Sequence, residues 1–209
     1  MSDIPDVARP GPAQARAPHE FDEMYLSTPP WDIGRPQPVF VRLADEGDIS
    51  GSVLDAGCGT GEHALMLAAR GLEVTGVDAA PRAIDAATAK ATERGLSPRF
   101  LLWDALKLSD LGEQFDTVID SGLFHVFDDE RRAQYVDQLR AVVYPGGRYL
   151  MCCFSDRQPG DWGPRRVTQA EIRNSFAQGW SISSITAETF DINLDPPTAL
   201  AWLTKMTRV

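Results

Sequence analysis

Val53-Leu54-Asp55-Ala56-Gly57-Cys58-Gly59-Thr60-Gly61 puts a strand end, an acid and alternating glycines into one short run. Two apolar residues close a predicted strand, the acid follows, and the glycines lead into a helix predicted from about Glu62. Glycine adopts backbone angles that other residues avoid, and it lets a ligand lie against the main chain. A strand-to-helix crossing is where α/β sheets bind nucleotide-like ligands. A Gly-x-Gly-x-Gly run by itself is a weak signal. The acid just ahead of the first glycine sharpens it, because dinucleotide fingerprints carry their acid some twenty residues later.

An acid stands at that later place as well. Leu72-Glu73-Val74-Thr75-Gly76-Val77-Asp78 reads as a strand ending in a carboxylate. In a nucleotide site this carboxylate accepts hydrogen bonds from a ribose diol. A third strand, Arg99 to Trp103, ends at Asp104, and a fourth, Phe115 to Asp120, ends in the small pair Ser121-Gly122. Successive strands therefore finish on an acid at one edge of the sheet.

Outward from this centre the pattern alternates. Gly61 to Arg70 carries Ala64, Leu67 and Ala68 on one helical face, and Pro81 to Gly95 carries Ile84, Ala87 and Ala91. Proline suits the first turn of a helix, where its missing N–H costs nothing. Glu130 to Val143 reads as a helix stopped by Pro145-Gly146-Gly147, with a fifth strand over Arg148 to Phe154. Thr168, with Glu171 three residues on, predicts a capped helix to Phe176. Trp180 to Ile192 and Ala199 to Arg208 are strand-like runs with no helix between them, so they predict an antiparallel pair. Strand–helix alternation implies a doubly wound α/β sheet, mostly parallel and seven-stranded, closed by a C-terminal antiparallel hairpin.

Ahead of the sheet, residues 1–19 are proline-rich and poor in apolar side chains, and are expected to be a flexible tail. Residues 20–209 are expected to form a single domain whose first part, 20–46, is a lid: a short helix near residue 20, a proline-rich strap from Thr28 to Pro38, and a helix from Val39 to Glu46. A chain of 209 residues fits one domain with a sizeable core. Its 20 basic and 30 acidic residues, net −10, argue against nucleic acid and anionic membrane as partners and favour a small molecule. Cys58, Cys152 and Cys153 form no disulfide framework, so a reducing, cytoplasmic setting is expected. No apolar run is long enough to cross a membrane, and no secretory signal is read at the start.

The glycine run, Asp78, Asp104 and Leu139-Arg140-Ala141-Val142-Val143-Tyr144-Pro145-Gly146-Gly147-Arg148 resemble the class I S-adenosylmethionine-dependent methyltransferases over residues 20–209. Pro29-Pro30-Trp31-Asp32-Ile33-Gly34-Arg35-Pro36-Gln37-Pro38 and Asp120-Ser121-Gly122-Leu123-Phe124-His125-Val126-Phe127 resemble the thiopurine-methyltransferase-like branch, which methylates small molecules on sulfur, oxygen or related atoms. The resemblance implies S-adenosylmethionine as cofactor. It implies Gly57, Gly59 and Gly61 beneath it, Asp55 near its amino-acid end, Asp78 with Ala79 at the ribose, and Asp104 with Ala105 at the adenine. Trp103 divides between flanking that ring and packing in the core. Trp31 on the strap stands to pack beside the sulfonium, with cation–π character, or to dock the strap. Ser121 and His125 follow the fourth strand, where this family's reacting atoms meet.

Methyl transfer from a sulfonium needs alignment and, for a hydroxyl acceptor, removal of a proton. His125 is the expected base, its ordinary pKa lying near neutrality, with Asp32 and then Asp156 behind it. His63 is expected to help hold the cofactor or cap its turn. The acceptor expected is a hydroxyl of a sugar, alcohol or phenol, with a small thiol as the alternative. Asp32, Asp156, Arg157, Asp161 and Arg165 are the polar candidates around it. An NAD(P)-dependent oxidoreductase and a non-catalytic nucleotide-binding module are the readings from other classes. The acid before the glycines and the terminal hairpin weigh against the former. No metal is expected, since Asp128 and Asp129 beside His125 suit a helix start better than Mg²⁺.

Overall fold

Strand and helix alternate from β1 (Ser52–Ala56) onward: α3 (Glu62–Ala69), β2 (Glu73–Asp78), α4 (Pro81–Arg94), β3 (Arg99–Leu102), β4 (Phe115–Ser121), α5 (Asp129–Val142), β5 (Val143–Phe154). A further helix, α6 (Gln169–Ser175), precedes the hairpin β6 (Trp180–Asp191) and β7 (Thr198–Arg208). Ahead of them lie α1 (Pro18–Met24) and α2 (Pro38–Asp45). This is a computed structural model in which residues 18–209 are described. The tail expected over 1–19 lies outside the described residues except for its end, where Pro18 and His19 already belong to α1.

The seven strands form one sheet in the order β3-β2-β1-β4-β5-β7-β6. β1 to β5 pair in parallel, and β7 runs antiparallel to both β5 and β6, so β6 again points the same way as the first five. The order reverses between β1 and β4. Ligands of open α/β sheets bind outside the carboxyl ends of the strands at such a switch point. The acids lie on that edge: Asp55 pairs with Gly76 in register, Asp78 with Leu102, and Asp104 follows β3 with only Trp103 between.

Both faces of the sheet are covered, and neighbouring residues on a strand point to opposite cores. Leu54, Val118, Tyr149 and Met151 pack with Tyr135 and Leu139 of α5 and Ile172 of α6. Val53, Ile119, Leu150 and Cys152 pack with Phe40 and Leu43 of α2 and Ala64 and Leu67 of α3. Truncating any of these leucines to alanine removes about 2–5 kcal/mol.

Two boundaries differ from the sequence expectation. β5 begins at Val143, five residues before Arg148. Phe115 pairs with Val143 and Thr117 with Arg148, so Tyr144 to Gly147 bulge out of the ladder instead of ending it. A turn of 3-10 helix at Ala105–Leu111 and another at Phe124–Val126 carry no periodic signal and were not expected. The capped helix is α6: Thr168 Oγ1 accepts from Glu171 N at 3.1 Å, and Thr168 N donates to Glu171 Oε2 at 2.8 Å. Among the described residues no helix is long and apolar enough to cross a membrane.

Candidate active site

At the end of β1 the chain needs left-handed backbone at Gly57, Gly59 and Gly61, with φ of 72°, 53° and 85°. Gly61 is required by packing. A Cβ there would stand 2.7 Å from Phe100 Cζ and 2.9 Å from Ala87 Cβ. Gly59 is required by what crosses it: a Cβ would stand 3.0 Å from the Tyr25 hydroxyl of the α1 segment. Asp55, beneath this loop, is 1 % exposed, and neither of its carboxylate oxygens has a hydrogen-bond partner among the described residues. Burial lifts its pKa to about 7. A buried acid approached only by the backbone N–H of Ala64, with no well-formed hydrogen bond to either oxygen, fits a ligand that brings its own donors.

Asp78 ties the loop to β2. Its Oδ2 accepts from Gly59 N and its Oδ1 from Ala80 N, both at 2.9 Å. Burial raises its pKa, and these backbone N–H groups act against the rise. Ala79 N–H also approaches this carboxylate, and its two oxygens still keep acceptor capacity for a ligand. Ala79 sits half-buried beside it. Asp104 Oδ1 accepts from Leu106 N at 2.9 Å and caps the 3-10 turn that begins at Ala105. Trp103 donates Nε1 to Lys107 O at 3.0 Å and packs on the α5-side core, so its ring is used by the fold.

The prelude is bound across this edge by polar ties. Asp22 accepts from Arg82 N at 2.9 Å, at the start of α4, and pairs with the Arg82 guanidinium. Trp31, 40 % exposed, meets Phe21 and Tyr25 edge-on and donates Nε1 to the Tyr25 hydroxyl at 3.2 Å. Asp32 accepts from the Thr60 hydroxyl at 3.0 Å and from Gly34 N at 3.3 Å. Farther on, Gln37 N donates to His63 Nε2 at 3.1 Å, and the Gln37 side chain exchanges two 2.9 Å bonds with the Asp191 backbone. Asn193 donates its amide to Asp32 O at 2.6 Å. Burial lowers the His63 pKa to about 4. That ring anchors the strap and does not cap the glycine turn.

Sequence reasoning missed two clusters. Glu62, opening α3, accepts from Lys90 and from both Arg94 amino groups at 2.8–2.9 Å, and Lys90 also reaches the Thr60 hydroxyl at 2.8 Å. Burial alone would raise Glu62, but Arg94 and Lys90 hold it below the usual range. Asp120, fully buried at the end of β4, gathers four donors: Tyr149 Oη at 2.7 Å, Tyr135 Oη at 3.1 Å, Leu123 N at 2.7 Å and Phe124 N at 3.1 Å. Burial lifts it to about 6. The acid at a strand end was visible, but the tyrosines that converge on it come from α5 and β5.

Those bonds fix the turn Ser121-Gly122-Leu123 and so the position of His125. Here the geometry speaks against the expected base. Phe154 N donates to His125 Nδ1 at 3.0 Å. A backbone N–H only donates, so Nδ1 carries the lone pair and the neutral ring keeps its proton on Nε2. Burial, with Arg132 and Arg166 nearby, lowers the pKa to about 3. An imidazole this weak is a poor acceptor for the proton of an alcohol or ordinary phenol. Asp32 lies on the glycine-loop side, and no hydrogen bond joins it to His125. Asp156 accepts from Trp202 Nε1 at 3.0 Å, the Arg157 guanidinium lies 4.6 Å over the Trp202 ring, and Arg165 pairs with Asp129 and Glu171. Asp128 caps α5 by accepting from Arg131 N at 2.8 Å. The would-be metal ligands thus have other work.

Around His125 the walls are aromatic. Its ring meets Phe154 at 5.3 Å and Phe190 at 6.3 Å, both edge-on, and Trp162 meets Phe154 at 5.8 Å. The Arg166 guanidinium lies 5.5 Å over Phe154 and 5.9 Å from the Trp162 ring.

Residues 53–147 match a family model described as a methyltransferase domain. The chain is 37 % identical over 179 residues to the 2-heptyl-1-hydroxyquinolin-4(1H)-one methyltransferase of Mycobacteroides abscessus, covering 84 % of this chain and 79 % of that one. It is 38 % identical, with a TM-score of 0.84, to a structure solved in work on the conversion of a disulfide bond into a thioacetal group during echinomycin biosynthesis. That likeness covers 91 % of this chain and 92 % of the other. A magnesium protoporphyrin IX methyltransferase from Synechocystis with bound SAM shares the fold at 24 % identity and a TM-score of 0.64, over 82 % of this chain and 76 % of that one.

Proposed function

The chain belongs to the class I S-adenosylmethionine-dependent methyltransferases acting on small molecules, and from that premise we propose that it methylates an acidic hydroxyl on a planar aromatic acceptor. S-adenosylmethionine supplies a methyl group on a positively charged sulfur, already activated for transfer. The chain's own task is to hold and align two partners and to keep water out. Gly57, Gly59 and Gly61 give the cofactor a bare loop to lie on, and Asp55 takes its amino-acid end. Asp78 accepts the ribose hydroxyls beside Ala79. Asp104 and Ala105 border the adenine. Trp31 closes over the loop, and Ser121 lies between cofactor and acceptor.

The acceptor class rests on one observation: His125, Phe154, Phe190 and Trp162 form an aromatic wall at the carboxyl ends of β4, β5 and β6, with Arg166 over two of its rings. A flat ring packs edge-on or offset against such a wall, at about 0.5–1.5 kcal/mol per aromatic pair beyond area burial. Sugars and simple alcohols fit less well, because their hydroxyls need a base. A hydroxyl that ionises by itself needs none. The Mycobacteroides abscessus relative is named for a hydroxyl on a quinolinone ring.

Sulfur is the second reading. Thiols ionise at a pKa of about 8.5 with little help, and the relative solved at 38 % identity concerns disulfide chemistry. A panel of hydroxyquinolinones, phenols of graded acidity, sugars and alkyl thiols, assayed for S-adenosylhomocysteine and product mass, tests both. Turnover is expected on the acidic aromatic hydroxyls. Turnover confined to sugars would refute the assignment, and turnover confined to thiols would move it to sulfur.

A further inference from the structure

We propose that His125 is a fixed hydrogen-bond donor to the acceptor's reacting atom, so that the enzyme takes acceptors already ionised in solution and removes no proton itself. The inference rests on the acceptor assignment above and adds the role of the residue that was expected to be the base.

The orientation of the ring is set from outside the ring. Phe154 N, on β5, approaches Nδ1 at 3.0 Å and leaves it no proton to carry. Phe154 and Phe190, stacked on each other at 6.0 Å, both meet the imidazole edge-on. The remaining edge turns toward Gly122, where an added Cβ would stand 3.3 Å from Cε1 and 3.6 Å from Nε2. Gly122 has φ of 95° and follows β4 at the carboxyl edge of the sheet, so Nε2 lies against the turn at the edge where ligands of such sheets bind. Among the described residues no hydrogen bond engages Nε2, and it is not one of the fully buried unpartnered atoms, so this edge of the ring keeps some access to solvent although the residue is only 7 % exposed. An N–H left without a protein partner beside a site is free to donate to a bound acceptor. An ionised oxygen or sulfur is an acceptor and cannot donate.

The charged groups around the ring agree. Arg132 reaches it from α5 and Arg166 from the segment after β5, both positive. The nearby carboxylate on β4, Asp120, is occupied by four donors of its own. The field at His125 therefore disfavours an imidazolium and favours an anion beside Nε2. A base would need the reverse on both counts.

The roles separate by experiment. In ¹⁵N spectra of the full chain with S-adenosylhomocysteine, His125, assigned with the His125→Asn variant, is expected to show protonated Nε2 and bare Nδ1 from pH 5 to 9. The Nε2–H resonance is expected to move on titration with para-nitrophenolate. A proton on Nδ1, a protonation midpoint near neutrality, or a resonance blind to the phenolate would overturn the proposal. Kinetics supply a second arm with phenols of graded acidity. The midpoint of kcat/KM against pH is expected to follow each acceptor's own pKa. His125→Asn keeps an acceptor for Phe154 N but lacks the distal donor. It should lose about 10- to 100-fold in kcat/KM with the midpoint unmoved and S-adenosylhomocysteine affinity kept. A midpoint that stays fixed across the series and vanishes in the variant would restore the base. If no member of the panel is methylated, the acceptor assignment fails, while the spectra still decide whether His125 donates to a bound anion.

Discussion

At the scale of single residues, carboxylates with different surroundings do different work. Asp78 holds Gly59 N and Ala80 N and, by the proposal, the ribose. Asp78→Ala is expected to weaken S-adenosylmethionine binding by about 100-fold, the loss of two charge-assisted hydrogen bonds. It should also lower the melting temperature, since two backbone donors lose their acceptor. Calorimetric titration of the folded variant checks the first, and unchanged affinity would refute the ribose role. Asp120 is a positioning residue. An amide in its place must turn its NH₂ toward at least one of four donors, so Asp120→Asn is expected to cost about 2 kcal/mol of stability in denaturant titration. The acids were legible because strand periodicity puts each at one edge. The tautomer of His125 was not, because the N–H that fixes it comes from Phe154, on another strand.

Among elements, the strap between α1 and α2 joins parts distant in sequence. Asp32 meets Thr60 on the glycine loop and Asn193 at the hairpin turn. Residues 20–38 are expected to gain hydrogen-exchange protection when S-adenosylhomocysteine and acceptor bind. Equal protection with and without them would contradict a lid. The alternation of strands and helices was readable because hydrophobic period reports burial directly, and Thr168 with Glu171 marked a helix start by its own hydrogen bonds. The start of β5 was not. Pro145-Gly146-Gly147 punctuates like a loop, yet Val143 pairs with Phe115 before the bulge. The 3-10 turn after Asp104 is too short for any period to show. The strap's partners were invisible because a tie such as Gln37 to Asp191 depends on where the hairpin folds back.

For the whole molecule, buried titratable groups make stability depend on pH in opposing directions. His63 and His125 have folded pKa values of about 4 and 3, lowered by burial, against about 6.5 unfolded. Below about pH 6.5 the unfolded chain gains protons that the folded chain refuses, so these groups withdraw stability as pH falls toward 4. Asp55 and Asp120, raised by burial to about 7 and 6, do the reverse: the folded chain keeps protons that the unfolded chain gives up, and stability falls as pH rises from about 4 to 7. His63→Gln keeps an acceptor for Gln37 N and removes one of the acid-sensitive groups. Relative to wild type it is expected to regain up to about 2 kcal/mol between pH 6.5 and 4.5, read as a smaller fall in melting temperature. An identical fall in both would sink this linkage. The strap has one more consequence, which concerns timing. Fastened at the glycine loop and at the hairpin turn, it is expected to act as the lid proposed above, so that a spent cofactor leaves only when those ties come undone. On that reading, departure is expected to pace the catalytic cycle more than bond-making does. Gln37→Ala, which cuts the tie to Asp191, is expected to speed release of S-adenosylhomocysteine in stopped-flow measurements, and an unchanged rate would show that the exit lies elsewhere.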